Sequence, residues 1–214
     1  MNKATVTLGV MLCLAGAGPI WGQVFNDLED VKDREIEWQA FFVSGLFSGE
    51  TLLRTNDGFN DIEVKTDDGW LIGVRASGEN EYLGAEVTLA GVFADLDFEA
   101  DPFATVPSGS DARTFLLSFN GLFYPTGNEL LEGRIRPYLT VGPEMAVIDT
   151  DYSKVSGETV FGANVGLGIK FLLGDSGNVI LRADWRWHNF FYSTGGLKSR
   201  MYHQELTAGI GIRF

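Results

Sequence analysis

The chain has few of the residues from which metal and catalytic sites are commonly built, with one Cys and two His among 214 residues. A single Cys cannot form a disulfide within the chain, and one Cys with two His cannot complete a zinc site without carboxylates. Basic residues are also scarce, because 16 Lys and Arg stand against 29 Asp and Glu, for a formal charge of -13. Phosphate would repel such a chain, which excludes nucleic acid as a partner. The composition predicts neither a metal nor a cofactor.

The N-terminus has the pattern of a secretory signal peptide. Lys3 is the only charged residue before Asp27, and an apolar stretch at 6–17 is followed by small residues. One early positive charge, a short apolar run and small residues at its end are the features that export signals share. Two cleavage points fit this pattern, after Ala17 or after Gly22.

Two other interpretations of this segment fit less well. An uncleaved membrane anchor needs about 20 consecutive apolar residues, and this run is shorter. A lipid attached to Cys13 would need a small residue before it, where the bulky Leu12 stands. We therefore expect a signal peptide at 1–22, an acidic periplasmic lead-in at 23–34, and one folded domain at 35–214.

From Glu35 onward, apolar and polar residues alternate, which predicts strands rather than helices. The clearest run places an apolar residue at every second position, Phe161, Ala163, Val165, Leu167, Ile169 and Phe171. Eight such runs can be found, and the first is the least regular because Phe41 and Val43 lie on its otherwise polar face. Short connections alternate with long ones at 49–68 and 94–112. This arrangement is typical of an up-and-down barrel in an outer membrane.

The alternation of apolar and polar residues does not by itself show which face of the sheet points inward. A soluble barrel such as a lipocalin buries its apolar face, and a membrane barrel exposes it to lipid. Here the polar face carries mostly small residues, and the chain has only six Lys, fewer than a water-facing surface normally shows. Large aromatic residues lie near strand ends, as interfacial girdles require. They are Trp38, Trp70, Trp185, Trp187, Phe190, Phe191, Tyr124 and Tyr202. We predict an all-β, eight-stranded antiparallel transmembrane barrel, with a soluble periplasmic barrel as the alternative.

An eight-stranded lumen has room only for side chains, so charges inside it must be paired. The phase of the alternation predicts such a lumen charge network. One predicted pair is Arg75 with Glu86. In a second group, three arginines face three acids: Arg182, Arg186 and Arg213 with Asp184, Glu205 and Glu144.

Four motifs in order resemble the strands of the small bacterial outer-membrane β-barrel proteins, the OmpA-like and OmpX-like group. They are Tyr82-Leu83-Gly84-Ala85-Glu86, Arg136-Pro137-Tyr138-Leu139-Thr140-Val141-Gly142, Arg182-Ala183-Asp184-Trp185-Arg186 and Ala208-Gly209-Ile210-Gly211-Ile212-Arg213-Phe214. The resemblance implies an outer-membrane location, with lipid and lipopolysaccharide as surroundings. It also implies an assembly signal for the barrel-assembly machinery, namely the terminal Phe214 with Ile212 and Ile210 before it.

We predict a non-enzymatic barrel that stabilises the envelope or presents its long acidic loops to an extracellular partner. A small pore is an alternative, which a lumen packed with charged side chains disfavours. A lipid A deacylase is another, built from His188 and Ser193 with Glu205 or Asp184. His188 is in phase with the lumen, however, and the His-x-Ser pattern of the deacylases is absent. His203 is expected to be an exposed rim residue.

One acidic loop segment suggests a further hypothesis. Asp95, Asp97, Glu99 and Asp101 lie two residues apart, which would place them on one face of a strand. Clustered carboxylates can hold a hard divalent cation. The segment lacks the Gly and the distal Glu of a calcium loop, so a solvated loop is the favoured interpretation.

Overall fold

The computed structural model describes residues 36–49, 51–56, 61–100, 110–127, 129–150, 157–174, 177–193 and 200–214. The predicted signal peptide and lead-in lie outside these ranges. The strands are β1 (Glu37–Phe47), β2 (Thr51–Asn56), β3 (Asp61–Thr66), β4 (Gly69–Glu79), β5 (Leu83–Ala100), β6 (Ser110–Phe123), β7 (Ile135–Thr150), β8 (Glu158–Leu173), β9 (Val179–Ser193) and β10 (Met201–Arg213). A short 3₁₀ turn, Leu130–Gly133, precedes β7.

Eight of these strands close into a barrel. β1 pairs with β10 on one side and with β4 on the other, and each strand from β4 to β10 pairs antiparallel with the next. Pairing of the first strand with the last removes the edges that an open sheet would expose. The predicted eight-stranded antiparallel barrel is confirmed.

The hairpin β2–β3 extends the wall where the sequence suggested only a long loop. β3 pairs with the outer part of β5, from Thr66 opposite Leu96 to Ile62 opposite Ala100. β5 and β6 likewise stay paired as far as Leu96 opposite Ser110. Predicting loops throughout 49–68 and 94–112 was therefore wrong. Period-two alternation continues through Asp61, Ile62, Glu63 and Val64, but abundant Asp and Asn obscure it.

The two faces of the wall have opposite polarity through most of the barrel. On β4, buried and exposed residues alternate almost without exception. Val74 is 54% exposed on the outer surface, and its neighbour Arg75 is 1% exposed inside. On β9, Trp187 is exposed outside and Arg186 is buried inside. This is the reverse of a soluble barrel, and such an apolar outer surface requires lipid around it.

The polarity inverts toward the long-loop end. From the level of Phe93 outward, the outer surface carries exposed charged residues, Asp95, Asp111, Arg113 and Asp149. The inner surface there is apolar and buried, and we call it the apolar cluster; it includes Phe47, Leu52, Val92, Leu96, Ala112, Ala146, Ile148, Phe190 and Met201. This part of the wall therefore has the polarity of a water-soluble barrel and extends beyond the apolar band.

Two members of the predicted aromatic girdle face inward instead. Tyr124 is fully buried and Phe190 is 3% exposed, while Trp38, Trp70, Trp187, Phe191 and Tyr202 are exposed on the outer surface. His203 is also buried, which corrects its prediction as a rim residue. Its Nδ1 lies 2.8 Å from the carbonyl oxygen of Ser48, and its ring stacks on Phe47. In the described part of the chain, no helix is long and apolar enough to cross a membrane.

Candidate functional site

The lumen contains the polar side chains, and its centre is a group of arginines and acids that we call the arginine network. Arg75, Arg182 and Arg186 lie inside the barrel together with Glu86, Asp184 and Glu205, all less than 3% exposed. These residues occupy inward-facing positions of β4, β5, β9 and β10. The four strands lie on one side of the barrel, with β1 between β4 and β10.

Each arginine of the network contacts two acids. Arg182 bridges Glu86 at 2.6 Å and Asp184 at 2.8 Å. Arg186 contacts the same two carboxylates at 2.7 and 3.2 Å. Arg75 Nη1 lies 2.8 Å from the Asp184 carboxylate, and Arg75 Nη2 donates a hydrogen bond to Glu205. Because partners are shared, removal of one member weakens the charge compensation of at least two others.

A second group fills the short-turn end of the lumen, and we call it the Glu79 cluster. The Glu79 carboxylate accepts hydrogen bonds from Gln39 at 2.6 Å, Arg136 at 2.9 Å and Lys170 at 2.5 Å. The hydroxyl of Tyr124 donates to it as well. Groups from β1, β7, β8 and the end of β6 thus meet at the last residue of β4. One buried carboxylate thereby connects five parts of the wall.

Aromatic rings separate and support these two groups. Phe41 lies between them, with the Arg182 guanidinium carbon 4.6 Å and the Lys170 ammonium 5.1 Å from its ring centre. Tyr138 donates to Asp184 and accepts from Arg182 at 2.6 Å. Phe41 interrupts the polar face of β1 in the sequence, and the two cations pack against its ring.

His188 lies at the boundary between the arginine network and the apolar cluster. Its Nδ1 is 2.7 Å from Glu144 and its Nε2 is 3.3 Å from Glu205. On its other side the ring packs against Phe47 and Phe190. The side chain is 1% exposed, so it faces neither lipid nor outside water.

The predicted contacts of Arg182 and Arg186 with Asp184 are present in the lumen, whereas Arg75 has other partners than the predicted Glu86. Arg75 contacts Asp184 and Glu205, and Glu86 is held by Arg182 and Arg186. The reason is geometric, because the lumen is narrow enough for side chains from non-adjacent strands to meet across it.

Two more of the predicted network residues have other partners. Glu144 contacts His188 rather than an arginine. Arg213 lies apart from the network at the barrel mouth, where it contacts Glu37 at 3.0 Å. As the last residue of β10, it is too near the short-turn end to reach the acids at the centre.

Several lumen residues lie on the polar face that the alternation predicts, but they were not included in the predicted charge network. Lys170, Arg136 and Tyr138 alternate with apolar residues and therefore point inward. Glu79 and Tyr124 are also in phase with the inner face, but each lies at the end of a strand. Their role becomes visible only when the strand ends come together.

The remaining predicted features lie outside this site. Ile210, Ile212 and Phe214 are exposed on the outer surface at the end of the chain. Asp95 is exposed, whereas the side chains of Asp97, Glu99 and Ser193, and all of Asp101, are outside the described part. Within the described residues, no group of three or more His, Cys, Asp or Glu side chains is arranged to hold a metal ion.

A closed barrel with an apolar outer surface and a charged, paired lumen is an outer-membrane β-barrel. Residues 48–214 match the family described as "Outer membrane protein beta-barrel domain", and the chain belongs to that family. The protein is therefore located in the outer membrane.

Solved structures share the fold at low sequence identity. The outer membrane protein OprG from Pseudomonas aeruginosa is 13% identical with a TM-score of 0.61, over 85% of this chain and 97% of that one. Neisserial surface protein A is 17% identical with a TM-score of 0.54, over 82% and 99% of the two chains. The outer membrane protein AlkL is 14% identical with a TM-score of 0.51, over 85% and 91%. No curated protein sequence matches the chain significantly.

Proposed function

We propose that this protein is a non-enzymatic outer-membrane barrel with a closed lumen, and that its outer part is a rigid platform for the extracellular segments. The observation that carries the proposal is the filling of the lumen in three successive layers. The Glu79 cluster lies at the short-turn end, the arginine network in the middle and the apolar cluster toward the long loops.

Each layer opposes the passage of solutes. Arginine and acid side chains cross the centre and hold one another at hydrogen-bonding distance. The apolar cluster surrounds a cavity of about 20 Å³, which has room for roughly one water molecule. An apolar constriction of this size also resists wetting, so ions would lose hydration there without compensation.

The position of His188 supports a non-enzymatic role. A lipid-cleaving residue must reach lipid at the outer leaflet, but this imidazole is enclosed between two carboxylates and two phenyl rings. Its interactions support the wall of the barrel, because they connect β7, β9 and β10.

The inverted polarity of the wall at the long-loop end supports the proposal that this part of the barrel is a platform. Charged outer residues and an apolar interior allow the wall to continue into water as a stable sheet, which holds the long-loop ends of β5, β6 and β7 in place. We propose that this platform presents the acidic extracellular segments to outside partners and contributes to the stability of the envelope beside lipopolysaccharide.

Single-channel recording in planar bilayers tests the closed lumen. We expect the refolded protein to show no steady conductance at moderate voltage. A large, stable conductance in the wild-type protein would contradict the proposal. Recording the Glu79→Ala and Arg182→Ala variants in parallel shows whether the layers are what closes the lumen, since each removes one support of a layer.

Labelling of intact cells tests the platform and its orientation. The only natural Cys, Cys13, lies in the predicted signal peptide, so single cysteines can be introduced in its absence. Asp149→Cys should react with a membrane-impermeant maleimide, whereas Glu129→Cys, in the turn at the opposite end, should not. Reaction at Glu129→Cys alone would show that the long-loop end does not face outward.

A further inference from the structure

The inner wall of β6, β7 and β8 differs from the arginine network on the opposite side of the lumen. Polar side chains line the middle of this wall, and four of them surround Gly142. Thr140 and Glu144 are the next inward-facing residues on either side of it in β7. Asn164 is its partner in β8, and Asn120 approaches it from β6.

These four side chains are buried but incompletely bonded. Each is at most 4% exposed. The atoms that meet no protein partner are all oxygens: Asn120 Oδ1, Thr140 Oγ1, Glu144 Oε1 and Asn164 Oδ1. Their other polar atoms do have partners, since Asn120 Nδ2 donates to Ser118 Oγ at 3.0 Å and Glu144 Oε2 contacts His188.

The orientation of Asn164 is determined by its surroundings. Its Nδ2 faces the carbonyl oxygen of Gly142 at 3.4 Å, and a reversed amide would place two acceptors against each other. Its Oδ1 must therefore point away from that carbonyl. The oxygen of Asn120 lies 2.5 Å from where a Cβ on Gly142 would stand, so it is directed at the same position in the wall.

Three of the four oxygens can only accept hydrogen bonds, so whatever occupies the site must donate. Buried acceptors without donors cost free energy, and native proteins provide a partner for nearly all of them. A cation is disfavoured, because Glu144 carries the only negative charge among the four side chains. The negative charge of Glu144 is already engaged by His188.

We propose that the wall around Gly142 is a binding site for a cluster of ordered water molecules. Water is small and neutral, and it donates two hydrogen bonds while accepting others, which matches the oxygens available. The cluster completes the coordination of Glu144 and so holds the carboxylate that positions His188. This inference concerns one side of the lumen and is independent of whether the barrel presents a partner-binding platform.

Solution NMR of the refolded wild-type protein in lipid nanodiscs tests the site directly. We expect long-lived water contacts at the side-chain amide protons of Asn120 and Asn164, measured as water-to-amide cross-peaks of the sign given by slowly exchanging water. The contacts should persist when choline replaces sodium in the buffer. Absent contacts, or contacts that require sodium, would overturn the proposal.

Substitution by an apolar residue of similar shape provides a second test. If Thr140 binds water, Thr140→Val should lower the unfolding midpoint and weaken the water contacts of Asn164. If the site is dry, the same change removes an unsatisfied hydroxyl and should raise the midpoint, which would refute the proposal. Ser77→Ala is the matched control, because its buried hydroxyl also lacks a protein partner but lies on β4, two strands away from β6, and the change should leave those contacts intact.

Discussion

The Glu79 cluster makes a sharp prediction about what stabilises the barrel. Glu79→Ala removes the acceptor shared by Arg136 and Lys170, both of which are buried. Removing one partner of a buried ion pair costs about 3–5 kcal/mol, because the other charge stays enclosed without compensation. Two cations lose the same partner here, so we expect the free energy of unfolding to fall by an amount in that range or above it.

The measurement is urea-induced unfolding in lipid vesicles, followed by tryptophan fluorescence. Glu129→Ala is the matched control, since Glu129 is an exposed acid at the same end of the barrel and its loss should change the free energy of unfolding by less than about 0.5 kcal/mol. A double variant, Glu79→Ala with Lys170→Met, should be less destabilised than the sum of its two single variants, because the uncompensated ammonium is gone. Equal effects of Glu79→Ala and the control would refute the role assigned to the cluster.

Three more predictions test other parts of the wall. Val74→Lys places a charge on the apolar outer surface. If that surface faces the lipid core, the change should lower the free energy of unfolding in vesicles by about 2–4 kcal/mol. Gly168→Ala should cost about 1–3 kcal/mol in the same assay, because the new Cβ would stand 2.4 Å from the Tyr138 ring and displace it. Deleting Phe214, which is 76% exposed, should reduce assembly into the outer membrane of cells, measured by heat-modifiable gel migration, yet leave refolding in detergent intact. Equal assembly with and without that residue would exclude it as a signal.

The arrangement of charges explains why so many acids and bases are tolerated within a lipid-embedded wall. Moving a lone charge out of water costs free energy. Pairing with an opposite charge offsets this cost only when the geometry is good and the remaining polar atoms are hydrogen-bonded. Arg182 meets this condition with two acids and the hydroxyl of Tyr138. Such a network also ties β5, β7 and β9 together across the lumen, in addition to the hydrogen bonds between neighbouring strands.

Much of the fold follows from the order of residues alone. Alternation with period two determines which side chains share a face, so the inward phase of Arg182, Asp184 and Arg186 can be read without coordinates. The scarcity of Lys and the aromatic residues near strand ends then favour an apolar exterior. The alternation is a local property, because it depends on neighbours one or two positions away, and the scarcity of Lys is a property of the composition.

Only the closed barrel decides which partners meet inside. Arg75 contacts Glu205, 130 positions further along the chain, and Glu79 gathers groups from four other parts of the wall. The partners of Tyr124 and His203, and the pairing of the β2–β3 hairpin with β5, likewise depend on the tertiary structure. Strand stagger and lumen width set distances across the barrel, and no periodicity along a single strand contains that information.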